Sequence, residues 1–267
     1  MADLKRLGDY EIDRELGAGA AAVVYRARSP DGIVVALKVL RRELAEDAES
    51  RERFAREIRI AQEVRDRHLV GIVDAGERDG SPYVALEYVP GGSLADRLAK
   101  GILDVDGVVR LIGELAAGLE ALHRRGLVHR DVKPSNVMFR DDGSAALADF
   151  GLTRAVSGTV LTTPGQVLGT LDYLAPELIR GGDPTPAGDI YALGCVAFEC
   201  LAGTPPFADR SLLSVGTAHL EHPAPDPPAP PEFAWALTRA LEKSPEARPA
   251  SATMYANLLR VAARRSD

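Results

Sequence analysis

The chain has 267 residues, 46% hydrophobic and 27% charged, which is enough for one large domain or two small ones around a real core. A formal net charge of −7 argues against binding a phosphate backbone, so nucleic acid is not an expected partner. No run approaches the ~18 apolar residues of a membrane helix, and MADLKRLGDY lacks the apolar stretch of a signal peptide.

In chain order, YEIDRELGAG, AAVVYRARS and GIVVALKVL read as strands separated by small-residue and Pro-Asp-Gly turns. Asp47 to Val64 is a charged amphipathic helix with Phe54, Ile58, Ala61 and Val64 on one face. LVGIVDAGE and SPYVALEYV are two more strands, giving about five strands and one helix before the break at Pro90-Gly91-Gly92. Beyond it the chain turns helical, with helices expected near 93–100, 105–125, 187–202, 233–243 and 251–264. The Pro-rich stretch 222–231 is expected to be an ordered extended connector. Cys195 and Cys200 lie five residues apart on one apolar helix and point in different directions, so they read as buried hydrophobes in a reducing, cytoplasmic compartment. The pattern predicts a small β-rich lobe and a larger α-rich lobe with a cleft between them, where ligands usually sit.

Four clusters carry chemistry. Gly17 and Gly19, with Val24 beyond them, let backbone N–H groups approach phosphate oxygens, although an Ala/Gly-rich hairpin is more often just a tight turn. Lys38, one of only five lysines, shares a strand face with Ala36 and Leu40 and so points at the apolar side; Glu57 is its candidate counter-charge. In LVHRDVKPSNVMF, residues 127–139, Asp131, Lys133 and Asn136 are held in a short loop between two apolar runs. A surface turn would need no such buttress. Asp149 follows an apolar strand and, paired with Asn136, could hold magnesium through hard oxygen donors.

Taken in order, Gly17-x-Gly19 with Val24, VALK ending at Lys38, Glu57, HRDVKPSN, DFG at 149–151, APE at 175–177, and DIYALGC with Arg248 resemble a protein kinase catalytic domain from about Tyr10 to Val261. Lys133 within DVKPSN is similar to serine/threonine rather than tyrosine kinases, and GTLDYLAPE resembles the bacterial, eukaryotic-like (Hanks-type) serine/threonine kinases. The resemblance implies an α+β, bilobal protein-kinase-like fold. Its N-lobe (1–88) is β-rich with one main helix, the hinge spans 89–92, and the larger helical C-lobe spans 93–267. It implies transfer of the ATP γ-phosphoryl to Ser or Thr hydroxyls of proteins, with magnesium, or manganese in its place, held by Asn136 and Asp149. By the same resemblance Asp131 accepts the hydroxyl proton, Lys133 neutralises the transferred phosphoryl, and Lys38, positioned by Glu57, ties the α- and β-phosphates. ATP would be lined by Leu16, Gly17, Ala18, Gly19, Ala20, Ala21, Ala22, Val24, Ala36, Lys38 and Met138. Backbone contacts to the adenine would come from Glu87 and Val89, with Leu86 guarding the back of the pocket.

Two features qualify the pattern. Ala22 stands where the family has its third loop glycine, and its methyl is expected to weaken ATP engagement modestly. Arg130 next to Asp131 resembles kinases switched by activation-segment phosphorylation, with Thr162 and Thr163 as the expected autophosphorylation sites and a homodimer as the autophosphorylating species. A pseudokinase scaffold would normally have lost Lys38, Asp131 or Asp149, and a small-molecule phosphotransferase would lack the Gly169, Thr170, Tyr173, Ala175-Pro176-Glu177 platform. All are present. Bacterial relatives often carry a membrane anchor and sensor after the kinase domain, so an anchoring segment beyond residue 267 fits the resemblance.

Overall fold

The computed structural model describes residues 5–19, 22–40, 48–78, 80–149, 171–208 and 211–266, without the side chains of 48–55, 212 and 266. It divides into two compact units. One holds the described residues up to 65 together with 70–89; the other holds 66–69 and the described residues from 90 onward.

The first unit is a six-stranded antiparallel sheet in the order β1-β2-β3-β4-β6-β5, with strands β1 (Arg6–Leu7), β2 (Tyr10–Ala18), β3 (Ala22–Arg28), β4 (Val34–Leu40), β5 (Ile72–Arg78) and β6 (Ser81–Glu87). The expected Pro-Asp-Gly turn joins β3 to β4. Gly32 sits there at φ 80°, and its N–H donates to the Ser29 carbonyl. The two-residue strand β1 was too short for any alternation to show in the sequence.

One face of this sheet carries a core of Leu7, Tyr10, Ala27, Val35, Leu37, Tyr83 and Ala85. The sheet curls around it. Tyr10 in β2 and Tyr83 in β6 both donate to Asp74 Oδ2 in β5, at 2.9 and 2.7 Å. β2 and β5 are four places apart in the sheet, about 19 Å if it were flat, so this bond requires strong curvature. Gly8, at φ 53°, completes the closure: a Cβ there would lie 2.9 Å from Arg78 Cδ at the far edge. Burial alone would raise the Asp74 carboxyl, but the two phenol donors outweigh it and hold it below the usual range.

Helix α1 (Ala48–Glu63) follows β4. Ile58 and Ala61 of the expected face are buried, as is Val64 just beyond the helix; the Phe54 side chain lies outside the described residues.

The second unit is mostly helical. Its helices are α2 (Leu94–Leu98), α3 (Val105–His123), α4 (Pro176–Ile179), α5 (Pro186–Ala202), α6 (Leu212–Glu221), α7 (Pro231–Thr238) and α8 (Ala252–Ser266). Ser93 and Asp96 form a reciprocal capping box on α2, and Asp104 caps α3 through the Gly107 N–H. Ile112, Leu115, Leu119 and Leu122 of α3, Leu193, Cys195 and Cys200 of α5, and Tyr255 and Leu259 of α8 have no exposed surface. Both cysteines are free thiols. α7 begins at Pro231 rather than 233, because proline is pre-organised for a first helical turn. It gives way to a 3-10 turn at Arg239–Leu241 where a single helix to 243 was expected. α6 escaped the sequence pattern, since Val215, Gly216 and Thr217 are weak helix formers; its visible signal is the Ser211 cap on the Ser214 N–H.

Strands β7 (Val137–Phe139) and β8 (Ala145–Leu147) form a short hairpin. Gly91 donates to the Phe139 carbonyl so closely that a Cβ on it would lie 2.2 Å from that oxygen. Residues 66–69 join this unit because His68 Nδ1 bonds the Ala145 carbonyl at 2.8 Å and the His68 carbonyl receives the Leu147 N–H at 2.8 Å. Among the described residues no helix is long and apolar enough to cross a membrane.

Candidate active site

The three polar heads of the 127–139 loop converge. Asp131 Oδ2 takes Lys133 Nζ at 2.9 Å and Asn136 Nδ2 at 2.8 Å. The same Asn136 nitrogen also donates to the Asp131 carbonyl at 2.8 Å. A 3-10 turn at Pro134–Asn136, closed by the Asn136 N–H on the Lys133 carbonyl, sets this spacing. The Asn136 carbonyl receives the Ala148 N–H at 2.8 Å, which fixes the end of β8, and hence Asp149, beside Asn136. With its amide nitrogen given over to Asp131, the 8% exposed Asn136 has its amide oxygen as the atom that would take a cation. That oxygen and the Asp149 carboxylate are the hard donors magnesium takes when substrate phosphates complete its shell, so the donor set fits the ion.

Arg130 and Asp149 are the two non-glycine residues at positive φ among those described, at 68° and 65°. Such backbone is held only where its surroundings over-determine it. At Arg130 the surroundings are Asp189 of α5, which is 2% exposed. Its Oδ1 accepts the Arg130 N–H at 2.8 Å; its Oδ2 accepts the His129 N–H at 2.8 Å and contacts His123 Nε2 at 2.8 Å. His129 has no exposed surface, and burial pushes its imidazole pKa down, so it stays neutral and its Nδ1 accepts the Asp131 N–H at 3.3 Å.

Beyond the loop, Leu171–Tyr173 forms a 3-10 turn. Tyr173 donates to Glu199 Oε2 of α5 at 2.5 Å, and burial raises both the Asp172 and Glu199 carboxyls. Glu177 of α4 is gripped by the two guanidinium nitrogens of Arg248, each at 2.7 Å. Arg248 is 5% exposed and also donates to the Glu242, Ala187 and Lys243 carbonyls.

This order of motifs, closed by these contacts, has counterparts among known proteins. The protein kinase domain family profile matches residues 10–257. The chain belongs to the protein kinase domain family. It is 38% identical over 252 residues to the serine/threonine-protein kinase PknH of Mycobacterium tuberculosis, covering 92% of this chain and 40% of PknH. It is 36% identical over 250 residues to PknL of the same organism, covering 91% of this chain and 63% of PknL. The chain thus spans 40% of the length of PknH and 63% of that of PknL. The crystal structure of the M. tuberculosis PknI kinase domain is 32% identical with a TM-score of 0.77, and the match covers 99% of each chain. The fold is thus the protein kinase fold, with a β-rich first unit and a helical second one. Membership of the family implies use of ATP, a divalent metal and protein substrates.

In this kinase domain the expected nucleotide residues divide between the units. Lys38, Glu57, Leu16, Gly17, Ala18, Gly19, Ala22, Val24, Ala36, Glu87 and Val89 belong to the first, and Met138 to the second. Lys38 is 6% exposed, with Val24 and Val84 opposite it on the neighbouring strands. Its face of β4 is apolar as expected, but the main core is on the other face, where Val35 and Leu37 point. Glu57 is partly buried beside Ile58. The Glu87 N–H is taken by the Gly71 carbonyl at 2.8 Å.

Gly17 has ordinary φ, and a Cβ on it would meet nothing within 4 Å. Ala22 opens β3, is 5% exposed, keeps ordinary φ and gives its carbonyl to the Gly19 N–H at 2.8 Å. The backbone at this position makes no demand for glycine. Ala20, Ala21, Thr162 and Thr163 lie outside the described residues. Sequence reasoning missed the clamp role of Asp189. Its signal was present, since Asp189 opens the DIYALGC motif.

Proposed function

We propose that this chain is the catalytic domain of a serine/threonine protein kinase that moves the ATP γ-phosphoryl onto Ser or Thr hydroxyls of proteins. One observation carries the reading: Asp131 Oδ2 is shared by Lys133 and Asn136, so the carboxylate is held in one orientation with a cation beside it. A fixed carboxylate accepts a hydroxyl proton as the oxygen attacks, and the adjacent ammonium balances charge on the transferred group. Lys38 and Glu57 serve the α- and β-phosphates; Leu16 to Ala22, Val24, Ala36, Met138 and the Glu87 and Val89 backbone serve the rest of the nucleotide. Asn136 and Asp149 hold the metal, magnesium by preference, which when bound neutralises the phosphate oxygens. Autophosphorylation within a homodimer at Thr162 or Thr163, read by Arg130, completes the proposal. Transfer of labelled phosphate to casein, compared between wild type and Asp131→Asn, is the test. The substitution is expected to cut transfer about 10²- to 10⁴-fold while ATP binding persists; transfer at more than half the wild-type rate would overturn the assignment.

A further inference from the structure

Behind the Leu171–Tyr173 turn a lysine joins three segments of the second unit. Lys243 Nζ donates to the Ala218 carbonyl in the last turn of α6 at 3.0 Å. It also lies over the Phe207 ring at 4.2 Å and the Tyr191 ring of α5 at 6.0 Å. The residue after Ala218 is His219, which has no exposed surface; its Nδ1 bonds Tyr191 Oη at 2.8 Å and its ring meets the Phe207 edge-on at 4.8 Å. One ammonium thus ties α6, α5 and the Phe207 segment into a single packed cluster.

That cluster is the seat of the turn. A Cβ built at Gly216 of α6 would lie 3.9 Å from Leu171 Cδ2, and the Asp172 backbone acts on the His219 imidazole. On the other side Tyr173 is moored to α5 through Glu199. The turn therefore has one anchor on α5 and one on α6, and α6 is held by Lys243.

We propose that Lys243 is a positioning residue for the protein substrate: its ammonium holds α6 against Tyr191 and Phe207, and so fixes the Leu171–Tyr173 platform on which the acceptor segment docks. The proposal rests on the kinase reading above, with residues 171–177 as the platform. Lys243 touches neither nucleotide nor metal ligands, so its effect falls on the acceptor and not on ATP.

The cation's surroundings make the tie sensitive to alkali. Burial is the largest cause that pushes the Lys243 pKa down, to about 8; Arg248 and Arg180 add to it, while Cys195 and Glu242 act against it. Of its other titratable neighbours, His219 is pushed down to about 3 by burial first and by Lys243 second, and burial pushes the Tyr191 phenol up, so both stay neutral throughout. A neutral amine loses its attraction to the rings and donates a weaker hydrogen bond. Above about pH 8 the platform loosens.

The test is steady-state kinetics with casein as acceptor, in wild type, Lys243→Met and Lys243→Arg. Lys243→Met is expected to raise KM for casein about fivefold or more and leave KM for ATP unchanged. Between about pH 7 and pH 9.5 the wild-type KM for casein climbs, while Lys243→Arg, which keeps its charge, stays flat whatever its starting value. An unchanged casein KM in Lys243→Met, or parallel pH profiles for wild type and Lys243→Arg, overturns the proposal. Should Lys243→Met fail to fold, the pH comparison decides alone. A wild type that phosphorylates no acceptor overturns the kinase reading and this proposal with it; normal transfer with parallel profiles overturns only the role of Lys243.

Discussion

Asp189 Oδ1 accepts the Arg130 N–H at 2.8 Å and so holds Arg130 at φ 68°, one residue before Asp131. A buried carboxylate on one helix thereby sets the backbone of a loop far away in sequence. Because Oδ2 of the same group takes the His129 N–H, two successive peptide units are fixed by one side chain. Left-handed backbone costs about 1 to 3 kcal/mol at a non-glycine residue, and the two charge-assisted bonds offset it.

Asp189→Asn turns one acceptor into a donor facing an N–H. Unfolding by denaturant is expected to show a loss of about 3 to 5 kcal/mol, the scale of a broken buried polar network. Phosphoryl transfer should fall with it, even in the folded fraction, because Asp131 loses its fixed direction.

Ala22→Gly separates two views of the phosphate loop. Since Ala22 is a buried strand residue of ordinary φ, glycine there adds backbone freedom and removes a packed methyl. KM for ATP is expected to stay the same. The melting temperature should drop by about 2 to 4 °C, corresponding to about 1 kcal/mol. A lower KM for ATP at unchanged stability would restore the handicap expected from the sequence.

Arg248→Lys tests the fork on Glu177. A lysine carries one head where Arg248 makes five donations, two of them to the carboxylate. The expected cost is about 3 to 5 kcal/mol, measured by chemical denaturation, because Glu177 is left partly buried with a poorer partner. A loss within the range of an ordinary surface change would mean that Glu177 finds another donor.

Lys243 also predicts a pH dependence of stability, of the opposite sense to its kinetic one. The folded pKa, about 8, lies below the ordinary lysine value, so between the two the unfolded chain binds the extra proton. Stability from this group is lowest below pH 8 and rises as pH climbs through that window. Relative to Lys243→Met, wild type should gain on the order of 1 kcal/mol between about pH 7.5 and pH 10, after allowance for solvent screening of a half-buried group. Unfolding curves at the two pH values check the sign.

Thr162 and Thr163 are expected to carry the activating phosphate. The Thr162→Ala, Thr163→Ala double variant should lose activity at least several-fold, and phosphopeptide mapping of active wild type should find one of them modified. Full activity in the double variant would place the switch elsewhere. The physical basis is a phosphate of about −2 charge pairing with the fork of Arg130.

The sequence by itself determined which groups are present and in what order. Alternation in VVALKVL marked a strand and put Lys38 on an apolar face, and the apolar runs around Asp131, Lys133 and Asn136 marked a buttressed loop. Strands β2 to β6, α1 and α3 followed from short-range periodicity, which needs no knowledge of the rest of the chain. Periodicity did not reveal α6, whose residues favour helix weakly, nor β1, which is too short to alternate. Only the tertiary structure decided the partners. Tyr10 meets Asp74 across 64 residues, Arg130 meets Asp189 across 59, and Glu177 meets Arg248 across 71. It also settled that Ala22 sits in extended, buried backbone, and that Lys243 lies between a carbonyl and two rings. Charge and hydropathy are properties of a residue and its near neighbours, whereas the partner of a buried polar group is set by which surfaces the packed core brings within 3 Å of it.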